Sequence, residues 1–221
     1  MNSSSAVRSV SFLAFCTLLV FAAAAESTPA ASADTALARL RDGNRRFVAG
    51  TAGEKASPIE RRAELARGQH PFAIVVACAD SRVSPEIIFD QGLGDLFVIR
   101  NAGNLLDDHV LGSLEYAVEH LHVPLIVVLG HSQCGAVTAA VAGGEVPGHL
   151  RSIVESLAPA VAMARKKPGD AVDNTVRISA KLSAAELGRS EPVLREATAA
   201  DHVKIVAARY DLASGQVDFL P

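Results

Sequence analysis

Tryptophan is absent from these 221 residues, and tyrosine occurs twice. A surface that stacks bases or sugars on aromatic rings has little to build with here. Neither sign of charge dominates: 21 Lys and Arg stand against 24 Asp and Glu, for a formal net charge of −3. That balance removes the basic footprint expected of a nucleic-acid binder. A short basic cluster, Arg165-Lys166-Lys167, reads as a solvated helix end. After the first 25 residues, no apolar run is long enough to span a bilayer. Internal repeats and linkers are missing too, so a chain of this length reads as one well-buried domain rather than two.

The first 25 residues stand apart. Arg8 supplies positive charge, residues 10–21 are mostly apolar, and Ala22-Ala23-Ala24-Ala25 precedes Glu26. This is the pattern of a cleaved secretory signal peptide. A membrane anchor is disfavoured because the apolar run is short and lacks a charged stop-transfer flank. Phe15 before Cys16 speaks against a lipoprotein. The expected mature protein is therefore exported, periplasmic or secreted, and has no membrane association once the signal is removed. Residues 26–33 read as a flexible leader, and 34–221 as a single domain.

Cysteine is scarce, and removal of Cys16 with the signal leaves Cys78 and Cys134. Each follows a buried-looking run. Phe72-Ala73-Ile74-Val75-Val76-Ala77 leads to the first, and Leu125-Ile126-Val127-Val128-Leu129-Gly130 to His131 and the second. Such runs, preceded by Pro71 and Pro124, read as parallel strands covered on both faces. Further strands are expected at 96–100, 203–208 and 216–220. Helices are expected at 34–49 (capped by Asp34), 57–67 (opened by a Ser57-Pro58-Ile59-Glu60 capping box), 85–89, 110–121 and 134–141. Two or three more fill 150–200. Strands alternating with helices define an α/β fold: a mainly parallel central sheet of four to five strands flanked by helices. The helices ahead of the first strand have apolar faces placed to reach over a partner subunit.

Both cysteines thus fall where a strand ends and a helix begins, the edge at which open α/β sheets bind ligands. Cys78 is followed by Asp80 and Arg82, and Cys134 is preceded by His131. In an exported chain a cysteine pair often forms a disulfide, but a disulfide needs neither the carboxylate nor the imidazole. Two thiols and an imidazole are three ligands for zinc, and a catalytic zinc keeps a further position available. Asp80 is placed to be a fourth ligand or to orient what sits there, and Arg82 to hold Asp80 by charge-assisted hydrogen bonds. Cys134, at a helix N-terminus, has its thiolate favoured by the dipole. Zinc with an open position makes hydroxide near neutral pH, a nucleophile for a small electrophile. Taken singly, each residue has an ordinary reading as core thiol, core histidine or ion pair. Their joint placement at two equivalent strand ends argues against coincidence. Gly92 and Gly94 precede a strand rather than follow one, so they are not a nucleotide loop.

Cys-x-Asp-Ser-Arg followed by His-x-x-Cys-Gly, each after a buried strand, resembles the β-class carbonic anhydrases. The resemblance runs from about residue 34 to residue 220. It includes Phe97-Val98-Ile99-Arg100-Asn101-Ala102-Gly103-Asn104, Glu115-Tyr116-Ala117, and Tyr210-Asp211-Leu212 with Gly215. It implies reversible hydration of carbon dioxide to bicarbonate and a proton by zinc-bound hydroxide. Cys78, His131 and Cys134 would be the zinc ligands, and Asp80 and Arg82 a catalytic dyad. In the inactive form Asp80 would ligate zinc as the fourth ligand. The resemblance also implies that Gln69 donates a hydrogen bond to substrate. Phe97, Tyr116, Ala102 and Gly135 would line the pocket, partly from a neighbouring subunit of a homodimer or an assembly of dimers.

One departure sorts the chain within that family. A subgroup regulated by bicarbonate carries Trp and Gly where this chain has Val75 and Ala77, so the resemblance is to the plant-like subgroup. Ala102 replaces a larger apolar residue often found there. Two other functions fit the same residues. One is a sibling zinc hydrolase of carbon disulfide or carbonyl sulfide. The other is a zinc-stabilised interaction protein without activity, but a structural site is normally closed by four strong ligands, and the Asp80–Arg82 pair argues against it.

Overall fold

A computed structural model describes residues 32–53 and 59–221. The signal peptide, most of the leader and the Ser57-Pro58 helix start lie outside the described residues. β1 (Ala73–Cys78), β2 (Leu96–Asn101), β3 (Leu125–His131), β4 (Lys204–Tyr210) and β5 (Val217–Leu220) form one sheet in the order β2-β1-β3-β4-β5. The first four are parallel, and β5 returns antiparallel to β4. Every residue of β1 and β3 is buried, as expected of strands covered on both faces.

Alternation along the strands sorts their side chains into two layers. Val75, Ala77, Val127 and Leu129 pack against Ala36 and Leu40 of α1 (Ala33–Val48). Ile74, Val76, Ile126 and Val128 pack under α4 (Asp108–Glu119), α7 (Ala171–Leu187) and α8 (Val193–Ala199), through Leu114, Ala180, Leu187 and Leu194. Each buried Val, Leu or Ile contributes roughly 1.5–3 kcal/mol of transfer free energy, so the central strands are the least deformable part of the molecule. A third cluster, formed by α5 (Gly135–Ala142), α6 (Leu150–Ala164) and α7, surrounds Cys78 and Cys134 with Val137, Leu157, Val161 and Val176. Gly130 lets α7 approach this closely, because a Cβ there would lie 2.7 Å from Val176 Cγ1. No helix among the described residues is long and apolar enough to cross a membrane.

Several boundaries differ from the sequence reading. Ser32, not Asp34, caps α1: its Oγ accepts from the Thr35 N–H at 3.2 Å. Asp34 sits in the first turn, where the helix dipole favours a carboxylate, and pairs with Lys204 at 2.7 Å. β4 runs on to Tyr210 because Arg209, polar in pattern, is neutralised by Asp173 and Asp211 at 2.7 and 2.9 Å. β3 gains one residue, so that His131 is itself a strand residue opposite Tyr210.

The helices ahead of β1 also divide in role. α1 buries Ala36, Leu40, Gly43 and Asn44 on its own subunit. The Asn44 amide donates to the carbonyls of Ile88 and Gly215 and accepts from the Val217 N–H, which ties α1 to the end of α3 (Pro85–Ile88) and to β5. In α2 (Ile59–Leu65) no residue is buried, and Ile59 stands exposed.

Candidate metal centre

The carboxyl ends of β1 and β3 lie side by side, and each delivers one ligand-bearing residue as its last. Cys134 is the N-cap of α5, turned back towards His131 by Gln133, whose φ of +54° is the left-handed conformation. The result is a group of three donors, Cys78, His131 and Cys134, all buried, whose ligand atoms lie within 4.8 Å of one another.

His131 is oriented for metal. Its Nδ1 lies 2.9 Å from the backbone oxygen of Ser132. A carbonyl only accepts, so Nδ1 carries the proton and Nε2 presents its lone pair. Nε2 is buried without a hydrogen-bond partner, a costly arrangement unless something binds there. The thiols supply the charge. Cys78 is held well below the usual thiol range, first by the hydrogen bond from Cys134 and further by the N–H of Gly103, against desolvation. The Gly103 N–H reaches Cys78 Sγ at 3.4 Å, and its φ of +81° is one that glycine adopts freely. Cys134 is pushed up, because its own hydrogen bond goes to Cys78 and it is buried. Two hydrogen-bonded cysteine sulfurs, one of them readily ionised, beside an unpartnered imidazole nitrogen fit zinc, with tetrahedral coordination leaving one position beyond these three.

Asp80 and Arg82 stand at the rim. The Arg82 guanidinium grips the carboxylate at two points, Nε to Oδ1 at 2.9 Å and Nη2 to Oδ2 at 2.8 Å, and the Arg82 N–H adds a third bond at 2.9 Å. These bonds hold the Asp80 carboxyl far below the usual carboxylate range. Oδ2 also lies 3.9 Å from His131 Nε2. The carboxylate is thus engaged by Arg82 and adjacent to the space between the metal donors.

Residues that the sequence reading gave no role support this arrangement. Arg100 donates to the backbone oxygens of Cys78 and Asp80 at 3.0 and 2.7 Å, fixing the peptides that carry both side chains. Asn101 closes the loop that presents Gly103 through paired bonds with Leu105. The other expected site residues fall differently. Gly135 opens α5 beside Cys134, and Ala102 is the exposed residue of the turn whose Gly103 is buried against Cys78. Phe97 packs into the layer under α4, not into the cluster of the two thiols, and Tyr116 stacks on it with ring centroids 6.5 Å apart. Gln69 is exposed in the loop before β1. Within one chain these three do not join the metal donors.

A parallel α/β sheet carrying two cysteines and a histidine at its carboxyl edge, with an ion-paired carboxylate beside them, defines a zinc enzyme centre. A model of the carbonic anhydrase family matches residues 73–217. The carbonic anhydrase of Mycolicibacterium smegmatis is 48% identical over 183 residues, spanning 81% of this chain and 89% of that protein. Carbonic anhydrase 2 of Mycobacterium tuberculosis is 46% identical over 181 residues, spanning 80% and 87%. A solved structure of a tetrameric β-carbonic anhydrase from the ascomycete Sordaria macrospora superposes with a TM-score of 0.66 at 27% identity, covering 81% of this chain and 93% of that one. The chain belongs to the carbonic anhydrase family, in its β class.

Proposed function

We propose that the chain catalyses the reversible hydration of carbon dioxide to bicarbonate and a proton, with Cys78, His131 and Cys134 holding zinc. The observation that carries this reading is the buried, unpartnered His131 Nε2 turned towards two thiols, with the Arg82-held carboxylate beside it. Zinc on three protein ligands lowers the pKa of water and so supplies a nucleophile at neutral pH. The chain's own residues supply the rest. Ser132 C=O keeps the His131 proton on Nδ1. Asp80, kept anionic by Arg82, accepts a hydrogen bond from the nucleophile and fixes its direction. With Arg82 withdrawn, the same carboxylate would be free to hold the metal as a fourth ligand and close the site. The apolar packing of Val137, Leu157 and Val161 around Cys78 and Cys134 makes the surroundings of the donors costly for a charged group and supports a small uncharged substrate.

The assembly is a homodimer or a multiple of one. Gln69, Phe97 and Tyr116 lie away from their own chain's donors, and Ile59, Ile87, Leu93 and Tyr116 are 71%, 63%, 53% and 47% exposed, which supports their contributing to a partner's site. Ala102 and Gly135 line the pocket from the same chain. Val75 and Ala77 are fully buried in the layer under α1, leaving the positions of the bicarbonate-regulated subgroup's Trp and Gly filled by a packed core, which supports the plant-like assignment. Residues 1–25 act as a signal peptide and 34–221 as one exported catalytic domain. Turnover of carbon dioxide and of carbon disulfide by the same zinc-loaded preparation tests the substrate. Hydration of carbon dioxide is expected to dominate; preferential hydrolysis of carbon disulfide would assign the chain to the sibling activity.

A further inference from the structure

The segment Tyr210-Asp211-Leu212 with Gly215 stands out in the sequence, yet it contains no metal donor and no member of the dyad. It is a stiff corner between β4 and β5. Asp211 Oδ1 accepts from the N–H groups of Ala213 and Ser214 at 3.1 and 2.9 Å and from Ser214 Oγ at 3.0 Å. The Gly215 N–H returns to the Asp211 carbonyl at 2.9 Å, with Gly215 at φ +76°. Arg209 pairs with Asp211 Oδ2 at 2.9 Å.

Ser132 is fastened to this corner on two sides. Its N–H donates to the Tyr210 carbonyl at 2.9 Å, and its Oγ accepts from the Leu212 N–H at 2.9 Å. Its carbonyl accepts the Nδ1 proton of His131 at 2.9 Å. The residue is buried. We infer that Ser132 is a positioning residue for the metal-ligating imidazole, and that the Tyr210–Leu212 corner is the fixed surface against which it acts. This rests on the zinc reading of the same centre.

The physical argument concerns one peptide plane. The direction of the Ser132 carbonyl sets both the tautomer and the tilt of His131, and hence where Nε2 aims. That plane is continuous with Gln133, whose left-handed φ of +54° is a conformation a non-glycine residue leaves when released. The Oγ–Leu212 bond, with the Ser132 N–H bond to Tyr210, anchors the Ser132 Cα and Cβ from which the 132–133 peptide departs. Without it, the peptide is free to turn its carbonyl away from Nδ1, and the imidazole loses its orienting partner.

The test uses the zinc-loaded protein and three variants. Zinc release into excess chelator is followed alongside the imidazole 15N–1H spectrum of His131. Ser132→Ala is expected to release zinc about tenfold faster, the lower end of the effect of removing an outer-shell partner, and to show faster exchange of the Nδ1 proton. Ser132→Thr, which keeps the hydroxyl, is expected to restore both. Asn44→Ala, which loosens the fold at the far end of the same corner, is expected to release zinc at the parent rate. Release at the parent rate in Ser132→Ala, or equal acceleration in Asn44→Ala, overturns the inference. So does a parent spectrum showing the proton on Nε2, which decides the matter even if Ser132→Ala does not fold. A parent that binds zinc tightly but hydrates no carbon dioxide would refute the enzymatic reading and leave this inference standing.

Discussion

Asp80 illustrates how single residues set the state of the centre. Its carboxylate makes three bonds to Arg82 while Oδ2 lies 3.9 Å from the His131 ring nitrogen. Arg82 is half exposed and Asp80 largely buried, so the guanidinium is the partner that can be removed without opening the core. Arg82→Ala removes two of the three bonds and leaves all three metal donors untouched. It is expected to keep its zinc and to lose hydration activity by tenfold or more, on the order typical of outer-shell substitutions. Metal analysis with a hydration assay checks this; activity equal to the parent's, or zinc lost together with activity, would contradict it. The donors and the dyad were legible in the sequence because each is a reactive side chain at the end of an apolar run. The groups that orient them were not. The Ser132 carbonyl and the Gly103 N–H are backbone atoms, which leave no residue-type signature. The hydrogen bond between Cys78 and Cys134 joins the end of β1 to the N-cap of α5, a contact that only the fold creates.

Among the elements, α1 shows where periodicity stops being informative. Its apolar spacing marked a helix correctly, and Leu40 lies wholly buried in the core. What periodicity could not show is which surface that stripe covers. The answer lies in a polar residue, Asn44, which is 5% exposed and holds α1, α3 and β5 together with three hydrogen bonds. Asn44→Ala strands two carbonyls and one N–H in a buried position. At about 1–3 kcal/mol for each group that finds no water, the expected loss is about 3 kcal/mol in urea unfolding. A loss below about 0.5 kcal/mol, the range of inert surface changes, would show that the tie is dispensable. The C-terminal strands were placed correctly in order but too short in β4, because Arg209 interrupts an apolar pattern only until Asp173 and Asp211 are folded against it.

At the scale of the molecule, the sheet order follows from elementary rules. Two runs buried on both faces must be central, and the half-buried β2 and short β5 must be edges. The assembly is written less directly, since a face left for a partner looks the same in sequence as one used at home. Exposed Ile59, Ile87 and Leu93 and the separation of Phe97 and Tyr116 from the donors are the observations on which the proposed dimer rests. Light scattering at micromolar concentration is expected to find an even-numbered oligomer, and a fully active monomer would contradict it. The central claim is narrower: that Cys78, His131 and Cys134 hold the zinc on which carbon dioxide hydration depends. Stopped-flow hydration by the mature protein, zinc-loaded, chelator-stripped and reloaded, and as Cys134→Ser, tests it most directly. The account predicts activity that disappears on stripping, returns with one zinc per chain, and is absent together with the metal in Cys134→Ser. Hydration that survives stripping, or a Cys134→Ser protein with full zinc and parental activity, would contradict it.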